Sequence, residues 1–296
     1  MTRPCLPPLP DITPITLSIP AGACDSHAHT FGPYDAYPLS PERSYTPVAQ
    51  TGHDFIAHLD QIGFERGVLV TGSACGQDNG SVLQALRQYP TRLRGVAVPD
   101  PDVTEKELDD WSQLGMRGVR VNLFKRNGQA VYKNGVGLDV IEKLAPRLKA
   151  RGWHLQVWIH APDIPDMAPH LLKLGLPLVI DHMGRMSTAL GANNAGFEAL
   201  ARMLADGQAW TKISGADRLT TQGHPYKDVD PLAQKLIQAN IERIVWGTDW
   251  PHINYFDAAD MPDDGNLVNL LARWLPNEKD LHKVLVTNPA ILYGWP

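Results

Sequence analysis

Cysteine is scarce in this sequence: Cys5, Cys24 and Cys75 are the only three, they stand far apart, and no CxxC joins any of them. An odd, scattered set excludes a disulfide framework and a cysteine-ligated zinc site. Cys24, inside an apolar run, reads as a small packing side chain. No apolar run approaches the roughly 18 residues needed to cross a bilayer, so no membrane partner is expected. Basic residues are also few, 27 Lys and Arg against 32 Asp and Glu for a formal charge of -5, which excludes the basic stripe of a nucleic-acid binder. The first twenty residues lack the basic and apolar regions of a secretory leader, and a cytoplasmic protein is expected. Pro4, Pro7, Pro8, Pro10, Pro14 and Pro20 instead make residues 1–20 a proline-rich arm without a fold of its own. Residues 21–296 are read as one domain.

Within that domain, short apolar runs alternate with stretches of helical spacing. Strands are expected to begin near residues 24, 66, 94, 117, 153, 178, 209 and 243, each followed by a helix, for example over 53–62, 104–114, 138–150 and 230–239. Thr104 and Glu107 form a capping box at the start of one of them. Parallel βαβ units at about thirty-residue intervals point to an α/β protein, and eight of them in a chain of 296 residues close most naturally into a (β/α)8 TIM barrel. An open doubly wound sheet is the rival arrangement, but no GxGxxG follows the first strand to support a dinucleotide site.

The first strand ends in Asp25-Ser26-His27-Ala28-His29. Residues i and i+2 of a strand share a face, so His27 and His29 project together from its end. Other polar residues fall at strand ends too, where barrel enzymes keep their chemistry: Ser73 after the second, Arg120 and Arg126 at the fourth, Trp158 and His160 at the fifth, His182 after the sixth, Arg218 after the seventh and Asp249 after the eighth. A carboxylate near three imidazoles supplies a base for water and an electrophilic face for a carbonyl. Guanidinium groups bind carboxylates bidentately, and a chain of negative net charge that gathers arginines at one mouth suits a small anionic substrate. His252 reads equally as a site residue or a loop brace. Lys125 and Lys212 are expected at the periphery, His154 and His160 in structural or rim positions.

Three motifs, Asp25-Ser26-His27-Ala28-His29-Thr30-Phe31-Gly32-Pro33, Asp181-His182-Met183-Gly184-Arg185 and Trp246-Gly247-Thr248-Asp249-Trp250-Pro251-His252, make the chain resemble the amidohydrolase superfamily and, within it, the 2-pyrone-4,6-dicarboxylate lactonase branch. The resemblance runs from about Ala21 to Tyr293. It implies an amidohydrolase-type TIM barrel and hydrolysis of a carboxylated lactone, such as 2-pyrone-4,6-dicarboxylate in aromatic-acid degradation. Asp249 would activate water, and His27, His29 and His182 would polarise the lactone carbonyl. Arg120, Arg126 and Arg218 would hold the substrate's acid groups, with Tyr45, Ser73 and Asn254 as further polar contacts. Trp158 stands where that branch has a tyrosine; an indole donates a hydrogen bond but cannot accept one, which bears on which lactone fits. The superfamily commonly holds divalent metals, often with a carboxylated lysine or glutamate on the fourth strand. Here Val119-Arg120-Val121-Asn122-Leu123 offers arginine and asparagine, so a two-metal centre is not expected, and the metal-independent form is favoured because a cation would add a positive centre beside the arginines and a lactone is already an activated ester. The alternative is one zinc on His27, His29 and Asp249, with His160 or His182 near. Other functions compatible with the scaffold are a sugar-acid lactone isomerase, a sulfo- or muconolactone hydrolase, and a non-catalytic sensor of organic acids.

Overall fold

In the computed structural model, eight parallel strands follow one another in chain order around a barrel. They are β1 (Cys24–Ala28), β2 (Arg66–Val70), β3 (Leu93–Ala97), β4 (Met116–Asn122), β5 (His154–Trp158), β6 (Leu178–Ile180), β7 (Ala209–Lys212) and β8 (Ile244–Val245). The structure describes residues 2–126, 129–131 and 134–296, with the backbone alone at Arg126 and Ala130. The strands are short, and buried polar residues gather at their C-terminal ends: His27, Arg120, Lys212 and, just beyond, Asp181, His182 and Asp249.

The two edges of the sheet meet between β1 and β8. The Ser26 N–H donates to the Trp246 carbonyl at 2.8 Å and the Asp249 N–H to the His27 carbonyl at 2.9 Å. Gly247 permits this approach, because a Cβ there would stand 2.5 Å from the His27 backbone nitrogen. Asp25 spans the seam, accepting from the His27 and Thr248 N–H groups and from the Thr248 hydroxyl. Two chain segments 220 residues apart are thereby tied at the position from which both His27 and Asp249 project.

Helices α1 (Gly52–Ile62), α2 (Gly80–Gln88), α3 (Glu105–Leu114), α4 (Leu138–Ala150), α5 (Ile164–Lys173), α6 (Ala195–Ala205) and α7 (Asp230–Asn240) cover the barrel, and short helices Asp264–Asn269 and Leu271–Trp274 follow β8. The expected capping box of α3 is formed, and α1 has a second one between Thr51 and Asp54. Leu59, Leu86, Leu148, Leu200 and Leu236 of the helices share one hydrophobic core with Leu69, Val119 and Leu155 of the strands, all fully buried. Each such side chain contributes about 1.5–3 kcal/mol relative to exposure, so the helices are held to the sheet by burial rather than by propensity.

The proline-rich arm packs against the loops that follow β1 and β8. The Cys5 N–H donates to the Thr46 carbonyl and the Leu6 N–H to the Tyr255 carbonyl, while Thr13 is held by Asp263. A small hairpin, Lys125–Arg126 with Gln129–Ala130, rises beyond β4. Its apolar residues are too few to announce it.

Candidate active site

His27 and His29 end β1, their rings 5.0 Å apart, and the ring of His182, just beyond β6, lies 4.5 Å from that of His27. Asp249 completes the group: its Oδ1 is 3.4 Å from Nε2 of His29, 3.7 Å from Nε2 of His27 and 3.8 Å from Nε2 of His182. All four side chains are buried, and these four atoms have no hydrogen-bond partner among the described residues. His182 and Asp249 have positive φ, 48° and 68°, a region that costs residues with a Cβ and persists where the surroundings impose it. Gly215 leaves room for His182, since a Cβ there would lie 3.2 Å from the His182 Cβ.

The far side of each ring is also tied. The Nδ1 of His29 lies 2.7 Å from the Val70 carbonyl, which can only accept, so Nδ1 carries a proton and Nε2 is the atom turned toward Asp249. Nδ1 of His182 is 2.8 Å from the Ser214 hydroxyl. Nδ1 of His27 faces Lys212 Nζ at 3.0 Å and Asp181 Oδ1 at 3.3 Å.

Behind the histidines sits a second layer of charge that sequence reasoning missed. Asp181 is completely buried and meets Arg120 Nε at 3.2 Å, Lys212 Nζ at 3.3 Å and the Gln156 amide at 3.1 Å. Lys212 was expected at the periphery; it is instead fully buried in the barrel. On a four-residue strand the alternation is too short to show which face a lysine takes, and only closure of the barrel turns it inward. Asp181 stood in a recognisable motif but beside His182, which drew the chemical assignment.

Burial alone would raise both carboxyls. For Asp249 the Arg218 guanidinium and then His182 outweigh it and hold the group well below the usual carboxylate range; for Asp181, Lys212 and His27 do the same. Burial, then Lys212, pushes His27 well below its ordinary value, and burial brings His182 down to about 4 against the pull of Asp249. Lys212 falls to about 8, burial outweighing Asp181. At neutral pH the cluster therefore consists of ionised carboxylates, neutral His27 and His182, and an ammonium.

The expected substrate contacts divide. Arg218 donates from Nε to Asp249 Oδ2 at 2.7 Å and from Nη2 to the Ile253 carbonyl, and it lines a cavity of about 420 Å³ with Trp158, Phe124, Arg185 and Asn254. Arg120 lies below, its guanidinium 4.9 Å over the Trp158 ring, its Nη2 without a hydrogen-bond partner among the described residues. The side chain of Arg126 lies outside the described residues. Tyr45 and Ser73 share a hydrogen bond of 3.1 Å. His160 stands at the rim against Phe124, and His154 packs on Tyr293 at the other end of the barrel. His252 braces its loop, its Nε2 2.9 Å from Asp264. Arg185, in the same motif as His182, adds a cavity-lining cation that was not assigned from sequence.

Comparison with known proteins places this geometry. The amidohydrolase family model matches residues 24–295. The chain belongs to the amidohydrolase family. It is similar to a 4-sulfomuconolactone hydrolase of Rhizobium radiobacter, 36% identical over 291 residues covering 98% of this chain and 96% of that one. It is 35% identical over 287 residues to a 2-pyrone-4,6-dicarboxylate hydrolase of Comamonas testosteroni, covering 94% and 92%. Among solved structures, a probable 2-pyrone-4,6-dicarboxylic acid hydrolase of Acinetobacter baumannii with citric acid bound superposes with a TM-score of 0.79 at 27% identity, covering 93% of this chain and 100% of that one.

For this amidohydrolase, the fit of a metal can be tested on the residues. His27, His29 and Asp249 offer ligand atoms within 4.8 Å of one another, as do His27, Asp181 and His182, and separations near 3.4 Å match a tetrahedral zinc ion with ligands about 2.1 Å away. Spacing fits; charge does not. Arg120, Lys212 and Arg218 already balance Asp181, Asp249 and, 3.9 Å from Arg218, Asp217. A divalent ion would add two uncompensated charges to a buried, balanced cluster.

Proposed function

We propose that this amidohydrolase opens a small anionic lactone by hydrolysis, with a carboxylated ring such as 2-pyrone-4,6-dicarboxylate as reference substrate. One observation carries the reading: Asp249 and three imidazole Nε2 atoms converge on one buried point, joined through Arg218 and Trp158 to a cavity with two arginines in its wall. The resemblance of the chain to hydrolases named for a dicarboxylated and a sulfonated lactone supports the same substrate class.

In this reading the attacking water donates to Asp249 Oδ1 and to Nε2 of His29. Asp249 takes one proton as the water oxygen bonds to the lactone carbonyl carbon, and His27 and His182 stabilise the oxygen that gains charge. Collapse of the tetrahedral intermediate breaks the ring C–O bond, and the proton held by Asp249 passes to the leaving oxygen. The product is a new carboxylic acid, ionised at neutral pH. Arg218 and Arg185 receive the substrate's acid groups, since charge-assisted pairs of this kind are strong and directional. We propose further that no metal is required, because the cluster is balanced without one and a lactone, already an ester, needs less activation than an amide.

The test is ultraviolet absorbance on a panel of lactone carboxylates and sulfonates, read together with proton release. Ring opening with one proton released per turnover supports hydrolysis. Isomerisation without proton release would replace it with a lactone isomerase, and binding without turnover would leave a sensor.

A further inference from the structure

The reaction just described leaves Lys212 without a task, although it is fully buried and touches His27. An ammonium has three N–H donors and no acceptor. Among the described residues Lys212 Nζ has three hydrogen-bond partners, the Ser26 carbonyl at 3.0 Å, Gln156 Oε1 at 2.8 Å and His27 Nδ1 at 3.0 Å, with Asp181 Oδ1 farther off at 3.3 Å. The first can only accept. The second is fixed as an acceptor from its other end, because the Gln156 amide nitrogen donates to Asp181 Oδ2 at 3.1 Å. The third N–H meets His27 Nδ1, nearer than Asp181 Oδ1, and an ammonium can only donate to it.

We propose that Lys212 locks His27 in the tautomer that carries its proton on Nε2, making it a hydrogen-bond donor toward the reaction centre and, by the same bond, unfit to ligate a cation there. The opposite tautomer would donate from Nδ1 to Asp181 Oδ1 at 3.3 Å and set that N–H against an ammonium hydrogen at 3.0 Å. His29, tied through Nδ1 to the Val70 carbonyl, is held in the reverse state. Two histidines one residue apart thus present unlike groups to the same point: a donor for the oxygen that gains charge and an acceptor for the water. Lys212 is a positioning residue, and its catalytic consequence rests on the lactonase reading above.

The tautomers are read by nitrogen-15 NMR of histidine-labelled resting enzyme at neutral pH, without substrate, with His27→Gln and His29→Gln spectra for assignment. The expected result is a proton on Nε2 of His27 and on Nδ1 of His29. A proton on Nδ1 of His27 overturns the proposal, whether or not any Lys212 variant folds. In folded Lys212→Met, the His27 proton should move to Nδ1 against Asp181, kcat should fall about 100-fold with KM changed only a few-fold, and the variant should take up zinc that the wild type leaves in solution. A folded variant that keeps the Nε2 tautomer also overturns it. If the lactone panel shows no turnover while the tautomers are as stated, the lactonase reading fails and the lock stands.

Discussion

Asp249 concentrates what the account asks of single residues. It faces three imidazoles through one oxygen and Arg218 through the other, so it serves as base only while ionised. Asp249→Asn keeps the shape and removes the base, and kcat should fall about 10³-fold or more with KM little changed; retention of a tenth of wild-type turnover would remove Asp249 from the role. Arg218 has two jobs to separate. Arg218→Met should raise KM ten- to a hundredfold, from loss of about 1.5–3 kcal/mol of charge-assisted hydrogen bonding to the substrate. It should also shift the acid limb of the kcat profile to higher pH, because Arg218 is the largest influence holding the Asp249 carboxyl down and activity is lost as pH falls through that group's ionisation. A variant with raised KM and an unmoved limb would separate Arg218 from the base.

At the scale of elements, the seam between β1 and β8 carries the site. Gly247→Ala would press a methyl group against the His27 backbone nitrogen and Asp25 and should cost about 1–3 kcal/mol in denaturant unfolding, with activity falling along with it because His27 and Asp249 share that seam. Thr104→Ala at the start of α3 should cost about 1 kcal/mol and leave kcat unchanged, since Thr104 pairs with the exposed Glu107 and with none of the site residues. Equal effects of the two on turnover would contradict a seam that positions the site. The same scale decides what could be read in advance. Eight strand starts and the α3 capping box were legible because period and caps are local properties, and the His27, His182 and Asp249 motifs were legible because their residues lie within a few positions of a strand end. The partnership of Lys212 with Asp181 and Gln156 was not, since it joins three strands through a closed barrel and leaves no mark on any one of them. Arg120 was seen as a mouth residue, but that its Nε is committed to Asp181 depends on the same closure.

The molecule as a whole carries several histidines buried in neutral form, and its stability should record them. Burial is the largest cause bringing His58 and His182 to about 4 and His154 to about 3, against about 6.5 in an unfolded chain. Between those values the unfolded chain binds protons that the folded one does not, so stability rises with pH in that window and falls on acidification below about 6.5. Asp25 acts in the opposite sense: burial raises it to about 7, so its contribution is present in acid and lost as pH rises through 7. His27, also held well down, joins these three, and the four outweigh Asp25 and His252, which is raised beside Asp264, so the melting temperature should drop by several degrees between pH 7 and pH 5, more steeply in Asp25→Asn; a melting temperature that rises on acidification would contradict this balance. Opening of an anionic lactone by the balanced charges and imidazoles of this chain, without a metal, is the activity proposed. The direct measurement is turnover of the lactone panel after prolonged dialysis against a strong chelator, with elemental analysis of the same sample. The account predicts ring opening at nearly the undialysed rate, one proton per ring, in protein free of zinc; no ring opening on any anionic lactone, or activity lost on dialysis and regained with stoichiometric zinc, would contradict it.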